Sequence, residues 1–296
     1  MAHFSPGSDP RDRSLSRSDS EYPARLRAVA DAPESLFIRG KIPSRSPVVA
    51  LVGSRAASGA AMKRAHGLAK ELSSCGALVI SGGALGVDTA AHLGALAASA
   101  PTAVVLGTSL DNPYPSRNLP LFGDVVRGGG ALVTPFPMGS PVLRWQFPRR
   151  NRVIAGMADI VVVVEASPKS GALYTAQAAS DYGRTICACP GSPGADALLA
   201  QGASVAETAD DVVSALAGRS RAREAPVLEA GSEAARVLSA VDPTLPRSVE
   251  SISATAGVAS VRTASVLFHL EVDGLVFAVP GGRYVRSSLG SRTITM

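Results

Sequence analysis

Between residues 48 and 216 the chain repeats one pattern, a short run of apolar, mostly β-branched residues followed by a longer alanine-rich stretch of helical spacing. A strand that leads into a helix re-enters the same sheet by a crossover, and repeated crossovers build a parallel sheet with helices on both faces. The pattern predicts strands at residues 48–52, 77–80, 102–106, 131–133, 160–164 and 185–188, with a further short one at 204–206. Helices are predicted at 60–74, 88–98, 150–157, 171–182 and 209–216. Residues 160–164 are apolar on both faces, which places that strand inside the sheet. Aromatic residues make up 4% of a chain that is 46% hydrophobic, so alanine, valine, leucine and isoleucine must fill the core.

The flanks are patterned differently. Residues 1–20 are rich in Ser, Asp, Arg and Pro without apolar periodicity and are expected to be a disordered tail. The main domain spans 21–217 and opens with Leu26 and Val29 against a core and a short strand at 36–38. Residues 218–231 lack a stripe and read as a linker. From 232 to 286, helical segments at 233–240, 249–256 and 260–272 precede strands at 275–279 and 283–285 joined by Pro280-Gly281-Gly282. Three helices and a hairpin in this order describe a winged helix-turn-helix, with Gly257 at the turn between helices and a tail at 287–296. Its five arginines are balanced by five carboxylates, so a protein contact or a regulatory role is expected of it more than strong DNA binding of its own.

Cys75, Cys187 and Cys189 are an odd set without paired C-x-x-C spacing, which indicates neither a disulfide framework nor a structural zinc site. No apolar run reaches the roughly 18 residues of a membrane span, and the N-terminus is too polar for a secretory segment, so a cytoplasmic protein without membrane contact is expected. The formal net charge of +5 permits a nucleic-acid partner without demanding one. Its distribution is more informative.

The densest cationic stretch is Phe147-Pro148-Arg149-Arg150-Asn151-Arg152, with Arg144 and Trp145 just upstream and no carboxylate among residues 144–152. Guanidinium forks grip phosphates in pairs and aromatic faces accept bases, which suggests a polynucleotide groove. The alternative is an arginine-rich helix start whose charges pair with nearby Asp and Glu.

Three further motifs fall at predicted carboxyl ends of strands, where an open parallel sheet binds ligands. Gly53-Ser54-Arg55 combines a close backbone approach, a hydroxyl and a charge, with Ser58 as a helix cap. The stretch from Ser81 through Gly82 and Gly83 to Asp88 has three glycines in five positions and can wrap an anion with amides. It has neither the G-x-G-x-x-G spacing nor a P-loop lysine, so NAD and ATP are not supported and no cofactor is expected. Asp88 and His92 on the next helix read as an N-terminal helix charge and its neighbour one turn on. Lys169-Ser170-Gly171 follows the central strand and can hold a phosphate, while Glu165 at the strand end could pair with an arginine of the 147–152 segment.

Taken in order, these motifs resemble the DNA-processing protein A family, also called Smf. The resemblance runs from Tyr22-Pro23 through Val52 to Arg55, Ser81 to Asp88 with Ala91-His92, Tyr114-Pro115, Phe147 to Arg152, Val164-Glu165-Ala166, Ser170 to Ala176 and Pro190-Gly191 to Gly202-Ala203. It implies an extended Rossmann-like domain that binds single-stranded DNA, protects incoming strands and loads a RecA-type recombinase as a homodimer, without enzymatic activity. By this resemblance the groove is lined by Gly53, Ser54, Arg55 and Ser58, by Ser81, Gly82 and Gly83, and by Phe147, Arg149, Arg150, Asn151 and Arg152. Lys169, Ser170, Gly171 and Arg117 are further phosphate contacts. The C-terminal segment resembles the winged helix that many members append. Here Leu85 stands where some relatives place a basic residue, and Thr134-Pro135 where a Ser-Glu pair is usual.

Two other functions compete. A nucleotide phosphoribohydrolase shares this type of sheet, but Pro190-Gly191-Ser192-Pro193-Gly194 has neither the threonine nor the glutamate of that pattern, which leaves Asp88, Asp181 or Glu165 without a matching partner. A transcriptional or adaptor protein acting through the winged helix is opposed by that segment's zero net charge.

Overall fold

The structure, a computed structural model, describes residues 9, 12–218, 228–273, 275–279 and 281–287. The described residues divide into two compact units. One runs up to Ala195 and resumes at Ala206, and the other comprises Asp196–Val205 and the residues from Leu228 onward.

The first unit begins with β1 (Asp12–Ser16), the short helix α1 (Ala24–Arg27) and β2 (Ser35–Gly40). The alternation then continues through β3 (Val48–Gly53), α2 (Gly59–Ser74), β4 (Leu78–Ser81), α3 (Val87–Ala97) and β5 (Ala103–Val105). A 3-10 turn at Ser116–Asn118 leads into α4 (Leu119–Arg127), followed by β6 (Ala131–Thr134), α5 (Gln146–Met157), β7 (Ile160–Glu165), α6 (Gly171–Asp181) and β8 (Thr185–Ala188). Helix α7 (Pro193–Ala200) begins in this unit, its residues from Asp196 and all of β9 (Ser204–Val205) belong to the other, and α8 (Ala209–Leu216) completes the first.

The strands lie in the order β1-β2-β6-β5-β4-β3-β7-β8. Pairs from β6 to β8 are parallel, and β1 and β2 extend the sheet with antiparallel pairing. Successive strands build outward from β3 to one side and then resume at β7 on the other. That reversal opens a crevice at the carboxyl ends of β3 and β7. As its pattern predicts, β7 is interior, and Ile160 to Val164 are buried. One face of the sheet is covered by α2, α3 and α8, whose Leu68, Leu72, Ala91 and Val212 meet Val49, Leu51 and Val162. On another part of the sheet, Leu121, Phe122 and Val125 of α4 pack on Val104 and Leu132.

Several boundaries differ from the sequence expectation. Residues 12–16 do not belong to a structureless tail, because they pair with β2 in the register Asp12↔Arg39 to Ser16↔Ser35. Their one apolar anchor, Leu15, gives no alternation to read. The strand is fixed instead by the buried Arg39, whose Nε and Nη2 donate to Asp12 Oδ1 and Oδ2 at 2.6 and 2.8 Å. Residues 1–8, 10 and 11 lie outside the described residues, as do 219–227 of the expected linker and 288–296 of the expected tail.

Helix α5 starts at Gln146 rather than at 150, since Pro148 sits in its first turn, where no amide partner is lost. Helices α4 and α7 were hidden for the same reason, because Pro120 and Pro193 open them instead of breaking them.

The second unit contains α9 (Glu233–Ala240), β10 (Arg247–Ser248), α10 (Val249–Ala256), α11 (Ser260–Val272), β11 (Val276–Val279) and β12 (Arg283–Arg286). The strands form a small sheet in the order β10-β12-β11. Val237, Leu238, Ile252, Leu267 and Leu270 form its core. Gly257 ends α10 at φ 64°, the left-handed cap that glycine adopts most readily. Three helices and a hairpin make this a winged helix. No helix among the described residues is long and apolar enough to cross a membrane.

Candidate nucleic-acid interface

A cleft of about 720 Å³ lies at the reversal of strand order, between the loops that follow β3 and β7 and the first turns of α5 and α6. Its walls carry Arg55, Arg144, Arg150 and Lys169, and Asp88 is the one carboxylate among the described residues that line it. Phe147 and Tyr174 add aromatic surface.

The loop after β3 runs where only glycine fits. A Cβ on Gly53 would meet Val87 Cγ2 at 2.5 Å and the Glu165 carbonyl oxygen at 3.0 Å. The next residue is held by its amide, which donates to the same carbonyl at 2.8 Å. Arg55 then projects from the loop, exposed, with its guanidinium 5.3 Å from the Phe147 ring centre. A cation resting on a ring face is aimed without being neutralised.

Glu165 takes no arginine of the 147–152 segment. It accepts the Ser58 amide at 3.1 Å and the Ser58 hydroxyl at 2.6 Å. The same hydroxyl accepts the Ala61 amide at 3.1 Å as the cap of α2. Ser58 is therefore a structural clamp between α2 and β7, and it does not line the cleft.

The glycine loop after β4 is also more structural than its composition implies. Ser81 is buried and its hydroxyl donates to the Leu51 carbonyl at 2.6 Å. A Cβ on Gly83, where φ is +72°, would meet Val104 at 2.6 Å and Phe122 at 2.9 Å, and the Asn118 amide donates to the Gly83 carbonyl at 2.9 Å. Gly82 makes room for a buried charge pair. The point where its Cβ would lie is 2.7 Å from the Arg150 guanidinium carbon and 2.8 Å from Asp88 Oδ2. Neither Ser81 nor Gly83 lines the cleft, and the loop reaches it through Ala84.

The arginines of α5 have three different surroundings. Arg150 turns inward and is 5% exposed, and its Nη1 donates to the carbonyls of Gly82 and, at 2.6 Å, Val105. Burial pushes its pKa down to about 10, although Asp88 opposes the shift. Arg150 lines the cleft and at the same time braces two strand ends beneath it.

Arg152 turns toward α6, where it pairs with Asp31 and, at 3.2 Å, with Asp181, its guanidinium 5.0 Å from the Tyr182 ring centre. The hydrogen bond it donates to Asp31 holds its pKa above the usual arginine value. Arg152 does not line the cleft. Arg149 and Arg117 are exposed but also lie outside its walls. Asn151 lines it and donates to the Gly171 carbonyl at 3.1 Å, tying α5 to the start of α6. There Ser170 caps the helix by accepting the Ala172 amide, Gly171 faces open space, and Lys169 stands exposed at the rim.

Beneath the cleft, Asp88 and His92 are buried on α3. Burial raises the Asp88 pKa against the opposing pull of Arg150, while its Oδ2 accepts the Ala84 amide at 3.2 Å. The Thr102 hydroxyl spends its proton on the Val79 carbonyl at 2.6 Å, so His92 Nδ1, 2.9 Å away, must be the donor between them. His92 Nε2 is buried and has no partner among the described residues, so nothing there would stabilise a second proton. Its pKa is pushed down to about 3, by burial first and by Arg150 second.

Residues not chosen from the sequence complete the site. Arg144 and Tyr174 line the cleft, the latter 64% exposed. Tyr114, 51% exposed, meets Phe147 edge to face at 6.1 Å and walls an adjoining niche. Their signal was available in part: each is a large or charged residue beside a recognised motif at a strand end.

Comparison with known proteins gives a consistent result. The family described as DNA recombination-mediator protein A matches residues 13–217, and the DprA winged helix domain matches residues 221–282. Protein Smf of Escherichia coli (strain K12) is 35% identical over 285 residues, covering 91% of this chain and 76% of that protein. DNA processing protein DprA of Streptococcus pneumoniae is 37% identical over 211 residues, covering 68% of this chain and 73% of that protein. The X-ray structure of the Streptococcus pneumoniae protein superposes with a TM-score of 0.64 over 69% of this chain and 74% of that one, at 35% identity. A Helicobacter pylori DNA processing protein A, described for its single-stranded DNA binding mode, superposes with a TM-score of 0.63 over 71% and 98%, at 25% identity.

Proposed function

The chain belongs to the DNA recombination-mediator protein A family, and on that premise we propose that it binds single-stranded DNA in the cleft at the β3–β7 reversal and acts as a non-enzymatic mediator. In this role it protects incoming strands and, as a homodimer, delivers them to a RecA-type recombinase. The observation that carries the binding step is the cleft itself. Three exposed cations, Arg55, Arg144 and Lys169, stand around two aromatic side chains, with one buried carboxylate below. Exposed cations meet phosphates, and ring faces meet bases only where the bases are unstacked, which favours a single strand over a duplex.

The hydrolytic alternative gains nothing from this geometry. Asp88 is the cleft's one carboxylate among the described residues, it is buried, and it already accepts a main-chain amide. Glycosidic cleavage by paired carboxylates would need a second.

Three phosphate contacts predict that the logarithm of affinity falls with the logarithm of salt concentration at a slope near roughly −2. Fluorescence anisotropy with an oligo-dT over a salt series measures this. A flat salt response, or equal affinity for duplex of the same length, would sink the proposal.

A further inference from the structure

The first unit has a second large cavity, of about 530 Å³, at the opposite ends of the strands. Its walls include Leu15 of β1, Ile38 of β2, Val48 at the start of β3, Leu78 at the start of β4 and Met157 at the end of α5. It shares no residue with the DNA cleft.

Four cations face it. Two are neutralised: Arg13 forms a two-pronged pair with Glu21 at 2.8 and 2.7 Å, and Arg25 pairs with Asp159. The other two come from the loop between β2 and β3. Lys41 is exposed, and Arg45 is half-buried with one long hydrogen bond, 3.4 Å, to the Ala77 carbonyl. Neither has a carboxylate within ion-pair distance among the described residues. Pro43 and Pro47 stiffen the loop that carries both, which lowers the entropic cost of presenting them to one ligand.

We propose that this cavity is a binding site for a small organic phosphate of the nucleoside monophosphate kind. The volume falls in the range of small-ligand pockets, roughly 300–1,000 Å³. Lys41 and Arg45 supply the two charges that a terminal phosphate needs, and the buried aliphatic walls accommodate a ring. A continuous polynucleotide is disfavoured, because its backbone would run past Glu21 and Asp159.

The test is isothermal titration of the full-length chain with AMP and, separately, with inorganic phosphate. Saturable binding of one AMP per chain is expected. It should weaken by about tenfold or more in Lys41→Ala/Arg45→Ala, as loss of charge-assisted contacts implies, and stay unchanged in Arg55→Ala. Inorganic phosphate should bind at least about tenfold more weakly than AMP, since it leaves the apolar walls unused. If the alanine variant melts below the wild type, Lys41→Gln/Arg45→Gln takes its place. Three results would overturn the assignment: no saturation at millimolar AMP, loss of binding in Arg55→Ala instead, or equal affinity for inorganic phosphate.

Discussion

The sharpest prediction concerns Arg150, which sequence alone would place among the DNA contacts. In the structure its guanidinium lies beside buried Asp88 and donates to two main-chain carbonyls at the ends of β4 and β5. Truncation to alanine leaves Asp88 buried without its counter-charge, a change that costs about 3–5 kcal/mol in comparable buried pairs. The Gly82 and Val105 carbonyls also lose a donor, at about 1–3 kcal/mol each if nothing replaces it. These costs overlap, and proton uptake by Asp88 caps the first, so a total of about 3–5 kcal/mol is expected. For a domain near 200 residues each kcal/mol moves the midpoint by about 2–4 °C, giving a fall of roughly 10 °C. Arg55→Ala should behave in the opposite way. It removes an exposed cation whose contact is a ring face worth about 0.5–1 kcal/mol, so the melting point barely moves while oligo-dT affinity drops about tenfold. Thermal melts by circular dichroism and anisotropy titrations on both variants separate the two roles. Asp88→Asn added to Arg150→Ala should recover part of the lost stability, because no uncompensated charge then remains. The reasoning fails if Arg150→Ala melts with the wild type yet binds DNA as weakly as Arg55→Ala.

Other outcomes follow from the same geometry. Arg152→Ala removes a partly exposed ion-pair cluster, so it should cost under about 1 kcal/mol in urea unfolding and leave oligo-dT affinity unchanged. Ser58→Ala breaks the cap of α2 and the hydroxyl bond to Glu165, which should lower stability by about 1–2 kcal/mol with DNA affinity kept within about twofold. His92 has a folded pKa near 3 against an ordinary 6.5, so the unfolded chain takes up a proton that the folded chain refuses. Stability from this source is full above about pH 6.5 and erodes as the pH falls toward 3, reaching a loss of about 2 kcal/mol at pH 5. Urea unfolding at pH 7 and pH 5 should show that erosion in the wild type and a flatter response in His92→Leu, while equal slopes would contradict the assignment.

Much of the fold was legible because its signal is periodic. The runs at 48–52 and 160–164 each carry enough apolar residues to declare a buried parallel strand, and Ala209, Val212, Val213 and Leu216 at helical spacing placed α8 at its observed limits. What escaped was structure fixed by single side chains. One ion pair, Arg39 with Asp12, holds β1 to the sheet, and no window average detects one pair. Prolines in first turns carried the opposite error, since a residue that ends a helix from within can also open one.

The candidate site shows why charge density along a sequence overstates charge in a groove. Arg149 and Arg150 are consecutive and an α-helix turns about 100° per residue, so these two leave on different faces, while Arg152, three residues after Arg149, is drawn aside by its acidic partners Asp31 and Asp181. The structure sends one to solvent, one into the sheet and one to Asp31 and to Asp181 at the end of α6. The cations that do converge, Arg55, Arg144 and Lys169, come from three separate loops joined only by the reversal of strand order between β3 and β7. Single glycine positions reveal the same logic. Gly53 and Gly82 serve tertiary closeness, to Val87 and to the Arg150–Asp88 pair, as much as any ligand. A strand laid in this cleft would thus touch few of the residues that announce it, and the rest of the motif maintains the crevice in which those few meet.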